Sequence, residues 1–227
     1  MSDTTHLDRI SGSPADPVAP AAGPRPWLPL QRAASTCTLC RLHETRTHVV
    51  FGEGDPEADM VLVGEGPGRN EDLTGRPFVG AAGNLLENLL TQNGLQRDDV
   101  YITNVVKCRP PGNRDPLPDE VATCSPYLRE QMAHLRPKVI VTLGNVATRL
   151  ILGKQLPISR VAGYRFDVMG TTLIPTFHPA AALRGSTQAM RALQRDIRLA
   201  KAVADGRVAS AREALEELRT RQAAAPR

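Results

Sequence analysis

The hydrophobic pattern of this chain switches between short unbroken apolar runs and longer stretches with helical periodicity. Met60-Val61-Leu62-Val63 is an apolar run that stops at Gly64, the signature of a strand buried on both faces. A helix is predicted over Ala81 to Asn93, with Leu85, Leu86, Leu89 and Leu90 on one side and Gly94 as its stop. Val100 to Val106 reads as a second strand, and Pro118 to Leu135 as a second helix that has Pro at its start and Arg136-Pro137 at its end. Val139 to Leu143 is a third strand, followed through Gly144 by a short helix to Leu152. Thr171 to Phe177 is a fourth strand, and a long helix starts near Ser186. Strands alternating with helices predict an α/β fold: a parallel sheet with helices on both faces. In such sheets ligands bind beyond the carboxyl ends of the strands.

The ends differ from this middle. Residues 1–27 are rich in Pro, Ala, Ser and Asp, lack apolar periodicity, and are expected to be a disordered tail. Residues 28–205 form the predicted domain, and 206–227 a C-terminal helix, from about Ala209, with a polar tail. The chain has 227 residues, enough for one domain with tails, and its 41% hydrophobic content supports a real core. Aromatic residues make up only 4%, so aliphatic side chains must build that core and each aromatic is worth locating. A formal charge of +4 permits a polyanionic partner without requiring one. No apolar run is long enough to span a membrane, and no secretory signal opens the chain, so a cytoplasmic protein with no membrane partner is expected.

Four cysteines stand out. Cys37 and Cys40 form a C-x₂-C pair, while Cys108 and Cys124 lie far downstream with fifteen residues between them. A zinc ribbon presents two close pairs; here only the first is close. Ligands drawn from distant loops suit a cubic iron–sulfur cluster, a tetrahedral Cys₄ zinc site is the alternative, and four unrelated thiols are the plainest reading.

Candidate chemistry follows the strand ends. Gly64-Glu65-Gly66-Pro67-Gly68 follows the first strand, where glycines let a backbone approach a ligand, although an ordinary tight turn has the same composition. It is neither a P-loop nor a dinucleotide fingerprint. Phe78, inside Gly75-Arg76-Pro77-Phe78-Val79-Gly80, is either a stacking platform for a flat heterocycle or a core plug under its loop. Asn104 sits within Tyr101–Val106, a run that is otherwise mostly apolar, and its carboxamide can pair with an imide edge or with a neighbouring loop. His178, after the fourth strand, can donate to a developing anion or be a structural group; Leu183 can wedge into a duplex and Arg184 can hold a phosphate. Arg191, Arg195 and Arg198 share a helix face, as a phosphate track or a solvated stripe.

In this order the pieces resemble the family 4 uracil-DNA glycosylases, the iron–sulfur branch of that superfamily. The resemblance runs from about Cys37 to about Arg198 and rests on Cys37-x₂-Cys40, the Gly-rich run at 64–68, Glu71-Asp72, the 75–80 segment, Thr103-Asn104, Cys108-Arg-Pro-Pro, Cys124 and His178-Pro179. Ala180 departs from it, since the family often has Ser there. The resemblance implies a three-layer α/β/α sandwich around a central four-stranded parallel sheet, and a structural 4Fe-4S cluster held by Cys37, Cys40, Cys108 and Cys124. It implies removal of uracil from single- or double-stranded DNA by a monomer, in a nucleoid-associated bacterial setting. Phe78 is then expected to stack on the flipped base, Asn104 to read its edge, and His178 to face uracil O2. The Glu65–Gly66 backbone is expected to line the pocket, with Glu65 also a catalytic candidate, and Glu71 to crowd the 5-position and exclude thymine. The alternative is a non-enzymatic DNA-binding module with a structural Cys₄ metal site, in which Phe78 and Asn104 are core residues.

Overall fold

The computed structural model describes residues 26–216; the expected N-terminal tail and the end of the C-terminal segment lie outside the described residues. Helix α1 spans Trp27–Ser35, beginning where the tail was expected to end. Then follow strands β1 (Glu53–Gly54) and β2 (Met60–Gly64), helices α2 (Arg69–Thr74) and α3 (Ala81–Gln92), β3 (Tyr101–Asn104) and α4 (Pro118–Leu135). The second half holds β4 (Val139–Leu143), α5 (Asn145–Leu152), α6 (Ile158–Val161), β5 (Phe166–Val168), β6 (Thr171–Thr176), α7 (Pro179–Leu183) and α8 (Thr187–Ala204).

The sheet order is β1-β3-β2-β4-β6-β5. The four central strands are parallel, with Leu62 level with Ile102 on one side and Val141 on the other. The expected four-stranded parallel sheet is therefore the centre of a six-stranded mixed sheet, which corrects the strand number. Both additions, β1 and β5, are antiparallel edges of two and three residues. Strands that short are too brief to show an alternating pattern.

Side-chain alternation along the strands divides the core into two faces. Met60 and Leu62 pack with Leu86, Leu89 and Leu90 of α3 and with Leu193, Ile197 and Ala200 of α8. Val61 and Val63 pack on the opposite side with Leu30 of α1, Leu128 and Leu135 of α4 and Ala147 of α5. This is the predicted three-layer α/β/α sandwich. Full burial of each such Leu or Val stabilises the fold by about 1.5–3 kcal/mol. Ser186 caps α8, its Oγ accepting from the Ala189 N–H at 3.1 Å.

The second predicted strand, Val100 to Val106, stops pairing at Asn104. Beyond it Val105 and Val106 donate their N–H groups to the carbonyls of Gly64 and Glu65, at 2.9 and 3.1 Å, so the chain tracks the Gly-rich loop rather than the sheet. Among the described residues no helix is long and apolar enough to cross a membrane.

Candidate active site and cysteine-lined cleft

Three loops at the carboxyl edge of the sheet meet over Gly64. A Cβ at that position would lie 2.3 Å from Asn104 Oδ1 and 2.5 Å from Phe78 Cζ, so the missing side chain is what leaves room for both. Asn104 is buried at the end of β3, and its Oδ1 has no hydrogen-bond partner within the protein. A buried amide oxygen without a partner is costly unless a ligand meets it. The Phe78 and His178 rings stack at 5.8 Å between centroids with an interplanar angle of 29°. Phe78 and Asn104 thus flank a slot over Gly64, with His178 stacked against Phe78.

Some of the groups that hold the walls stand in the motifs, such as Glu71, and others, such as Arg97 and Glu53, do not. Phe78 sits at φ 51°, in the left-handed region that disfavours a side chain. Arg97 holds it there, donating to the Phe78 carbonyl at 3.0 Å and the Pro77 carbonyl at 2.7 Å. Glu53 of β1 anchors Arg97 at 3.3 Å and Arg76 at 2.6 Å. Gly83 lets α3 start against the Phe78 main chain, where a Cβ would come within 1.9 Å of the Phe78 carbonyl oxygen. Glu71 accepts N–H groups from Gly68 at 3.1 Å, Val79 at 2.9 Å and Gly80 at 2.8 Å, which ties the Gly-rich loop to the Phe78 loop. The buried Asp72 beside it accepts from the Thr47 N–H at 2.8 Å.

His178 caps the five-residue α7, its Nδ1 accepting from the Ala180 N–H at 3.2 Å. Burial, helped by the charge of Arg184 and opposed by Glu71, draws its pKa down to about 4. The ring is therefore neutral at ordinary pH, and with Nδ1 accepting, the proton sits on Nε2. Glu65 behaves in the opposite sense: burial, and secondly the neighbouring Asp115 carboxyl, push its pKa up to about 7. Gly66 packs tightly, since a Cβ there would meet Val106 at 2.7 Å. Leu183 and Arg184, at the end of α7, are exposed beside this edge. Arg191, Arg195 and Arg198 line an open groove on α8, away from its core-facing side.

The four cysteines converge although they come from three segments. Cys37, Cys40, Cys108 and Cys124 line a single cleft with Arg46 and Lys107. All four are free thiols. Arg46 donates to Cys108 Sγ at 3.2 Å and to the Cys37 carbonyl at 2.7 Å, and the Lys107 N–H donates to Cys124 Sγ at 3.3 Å. Arg41 pairs with Asp119 at 2.7 Å and Arg114 with the buried Glu120 at 2.7 Å, fastening the first and second cysteine segments to the start of α4. Burial pushes the Cys124 thiol up to about 11 and raises Cys108 as well. Among the described residues no group of three His, Cys, Asp or Glu side chains is set to hold a single metal ion. Four thiols on one cleft, two of them receiving N–H donors, are a donor set suited to a thiolate-held cluster, whose sulfurs take such hydrogen bonds.

A mixed sheet whose four central strands are parallel, with an aromatic, a carboxamide and a histidine gathered at its carboxyl edge, defines an α/β protein with a side-chain cluster where such folds bind ligands. The chain belongs to the uracil DNA glycosylase superfamily, whose family model matches residues 51–201. Its relatives include the type-4 uracil-DNA glycosylase of Thermotoga maritima, 51% identical over 168 residues that cover 73% of this chain and 88% of that protein. The type-4 enzyme of Archaeoglobus fulgidus is 49% identical over 160 residues, covering 67% and 80%, and that of Sulfurisphaera tokodaii 50% identical over 157, covering 65% and 71%.

Proposed function

We propose that this protein is a uracil-DNA glycosylase that takes deoxyuridine out of DNA and hydrolyses its N-glycosidic bond, leaving an abasic site for base excision repair. Phe78 and Asn104 over Gly64, with His178 stacked against Phe78, carry this reading. All three come from one chain, which supports action as a monomer.

A base inside a duplex is out of reach, and extruding it costs about a few kcal/mol, least at a mismatch or in a single strand. Leu183 fills the space the base leaves and Arg184 holds a flanking phosphate. Phe78 stacks on the uracil ring. Asn104 pairs with the imide edge; cytosine, with an amino group at position 4 and no proton on N3, mismatches both contacts. Cleavage of the C1′–N1 bond leaves its electron pair on the base and positive charge on the sugar. The His178 Nε2–H faces O2 and stabilises the uracil anion, a contribution of about 3–4 kcal/mol for a donor of this kind. Glu65, ionised above about pH 7, orients the water that adds to C1′; the water's proton passes to that carboxylate or to solvent. Glu71, with both oxygens engaged by backbone N–H groups, limits the space at the 5-position by holding the 68 and 79–80 loops together.

Cys37, Cys40, Cys108 and Cys124 hold a 4Fe-4S cluster. When bound, it supplies a cross-link between three segments of the chain. The convergent thiols and the donors on Cys108 and Cys124 support this.

The test is release of uracil from single- and double-stranded oligonucleotides, read by alkaline cleavage at the abasic site. Uracil release is expected from the parent, with loss of discrimination against cytosine in Asn104→Asp. Duplex binding without release would instead favour a non-catalytic DNA-binding module.

A further inference from the structure

Lys107 is among the largest side chains wholly inside the protein, and the reaction outlined above does not use it. Its Nζ donates to Thr103 Oγ1 at 2.6 Å, to the Asn104 main-chain carbonyl at 2.7 Å and to Gln131 Oε1 at 2.5 Å. The Thr103 hydroxyl donates its own proton to the Phe51 carbonyl at 2.9 Å, and Gln131 turns its NH₂ toward the same carbonyl, also at 2.9 Å. Both therefore meet Lys107 with lone pairs, as the Asn104 carbonyl must. Burial draws the pKa of the Lys107 ammonium down to about 7; against that pull, three acceptors require three N–H donors, and only the ammonium form of lysine has them.

That charge lacks a carboxylate. None of the ion pairs among the described residues includes Lys107. An uncompensated buried charge is expensive, so an anion is called for nearby. The main chain of the same residue points to it. The Lys107 N–H is on Cys124 Sγ, the next residue is Cys108, and both line the cysteine cleft. Four thiolates around an iron–sulfur cage leave the centre net negative. Helix α4 joins the two ends: Cys124 and Gln131, two turns apart, meet the backbone and the tip of this one lysine.

We infer that Lys107 is a positioning residue for base recognition: its ammonium, balanced by the thiolates of the cysteine centre, holds the Asn104 main chain so that the carboxamide faces the slot over Gly64. This rests on the roles proposed above for Asn104 and the four cysteines. The lysine connects the metal centre to base selection through two residues, and needs no movement to do so.

The test is a double-mutant cycle together with a potential measured without substrate. Lys107→Met, Asn104→Ala and the double variant are compared with the parent for single-turnover release of uracil and cytosine. The reduction potential of each purified protein is read by dye-mediated titration. Lys107→Met should slow uracil release by about tenfold with little change in oligonucleotide Kd, yet add only about twofold when Asn104 is already Ala. The potential should move to a more negative value, because a nearby positive charge is gone. Losses that multiply overturn the positioning role, since a general packing defect would act on both backgrounds alike. An unmoved potential overturns the charge balance. Failure of the glycosylase reading shows separately, as no release by the parent. Should Lys107→Met not fold, Thr103→Val keeps the lysine and removes one of its three acceptors; the same non-additivity is expected, and additive losses overturn the inference.

Discussion

At the scale of single residues, the slot depends on what is absent at Gly64 and on what is unusual at Glu65. Gly64→Ala would place a methyl group against Asn104 Oδ1 and the Phe78 ring, and both would have to retreat. A displacement of that size at a reacting group costs roughly 10²-fold in rate. Base release should fall by that order, and the overpacking should also lower stability by about 1–3 kcal/mol. Glu65 gives a pH prediction of definite sign. Its native pKa of about 7 stands above the 4.5 of the unfolded chain. Between those values the native state binds the extra proton, so stability falls as pH rises and levels off above about 7. Glu65→Gln should therefore have a higher Tm than the parent near pH 8 and none of that advantage below about pH 4.5. The parent's rate of base release should climb through about pH 7, and this step should be missing from Glu65→Gln. These residues were legible in the sequence because each departs from its surroundings: Asn104 in an apolar run, His178 at a strand end, Phe78 in a loop with Pro77 before it and Gly80 after it. Lys107 was not, since one lysine among basic neighbours says nothing of three acceptors waiting inside.

At the scale of elements, the unpredicted pieces hold the predicted ones. Strand β1 is two residues long, yet it carries Glu53, whose pairing with Arg97 and Arg76 steadies the loop that presents Phe78. The left-handed backbone at Phe78 costs about 1–3 kcal/mol. Arg97 offsets that with two charge-assisted hydrogen bonds. Arg97→Ala should release the loop, slowing base release by about tenfold and raising the rate of proteolytic nicking near Phe78. Unchanged kinetics would remove Arg97 from the account. The central strands and α3, α4, α5 and α8 were readable because each carries enough residues for a period to show. Helices α2 and α7, of six and five residues, are fixed instead by tertiary contacts and end groups. Glu71 and Asp72 show the limit well: two adjacent acids reach two different loops, and no spacing rule announces which.

At the scale of the whole molecule, the cysteine cleft fastens the segment after α1, the loop after β3 and the start of α4. The layered α/β architecture followed from alternation alone, whereas the convergence of Cys37, Cys40, Cys108 and Cys124 was legible only as a count and a spacing. Structural metal centres contribute folding free energy directly. Cys124→Ala should lose bound iron and lower Tm by roughly 10 °C, equivalent to about 3–4 kcal/mol for a domain of this size; iron retained with an unshifted Tm would argue against a structural centre. The capping of α7 by His178 carries a wider consequence. One ring nitrogen is occupied by the first turn of a helix, so the formation of that helix and the placement of the ring proton are one event. In the role proposed for His178, the donor would be set before any nucleic acid arrives and would keep its proton when the base departs as an anion. A group in that role would need no recharging between turnovers, and the enzyme would leave each abasic site ready for the next lesion.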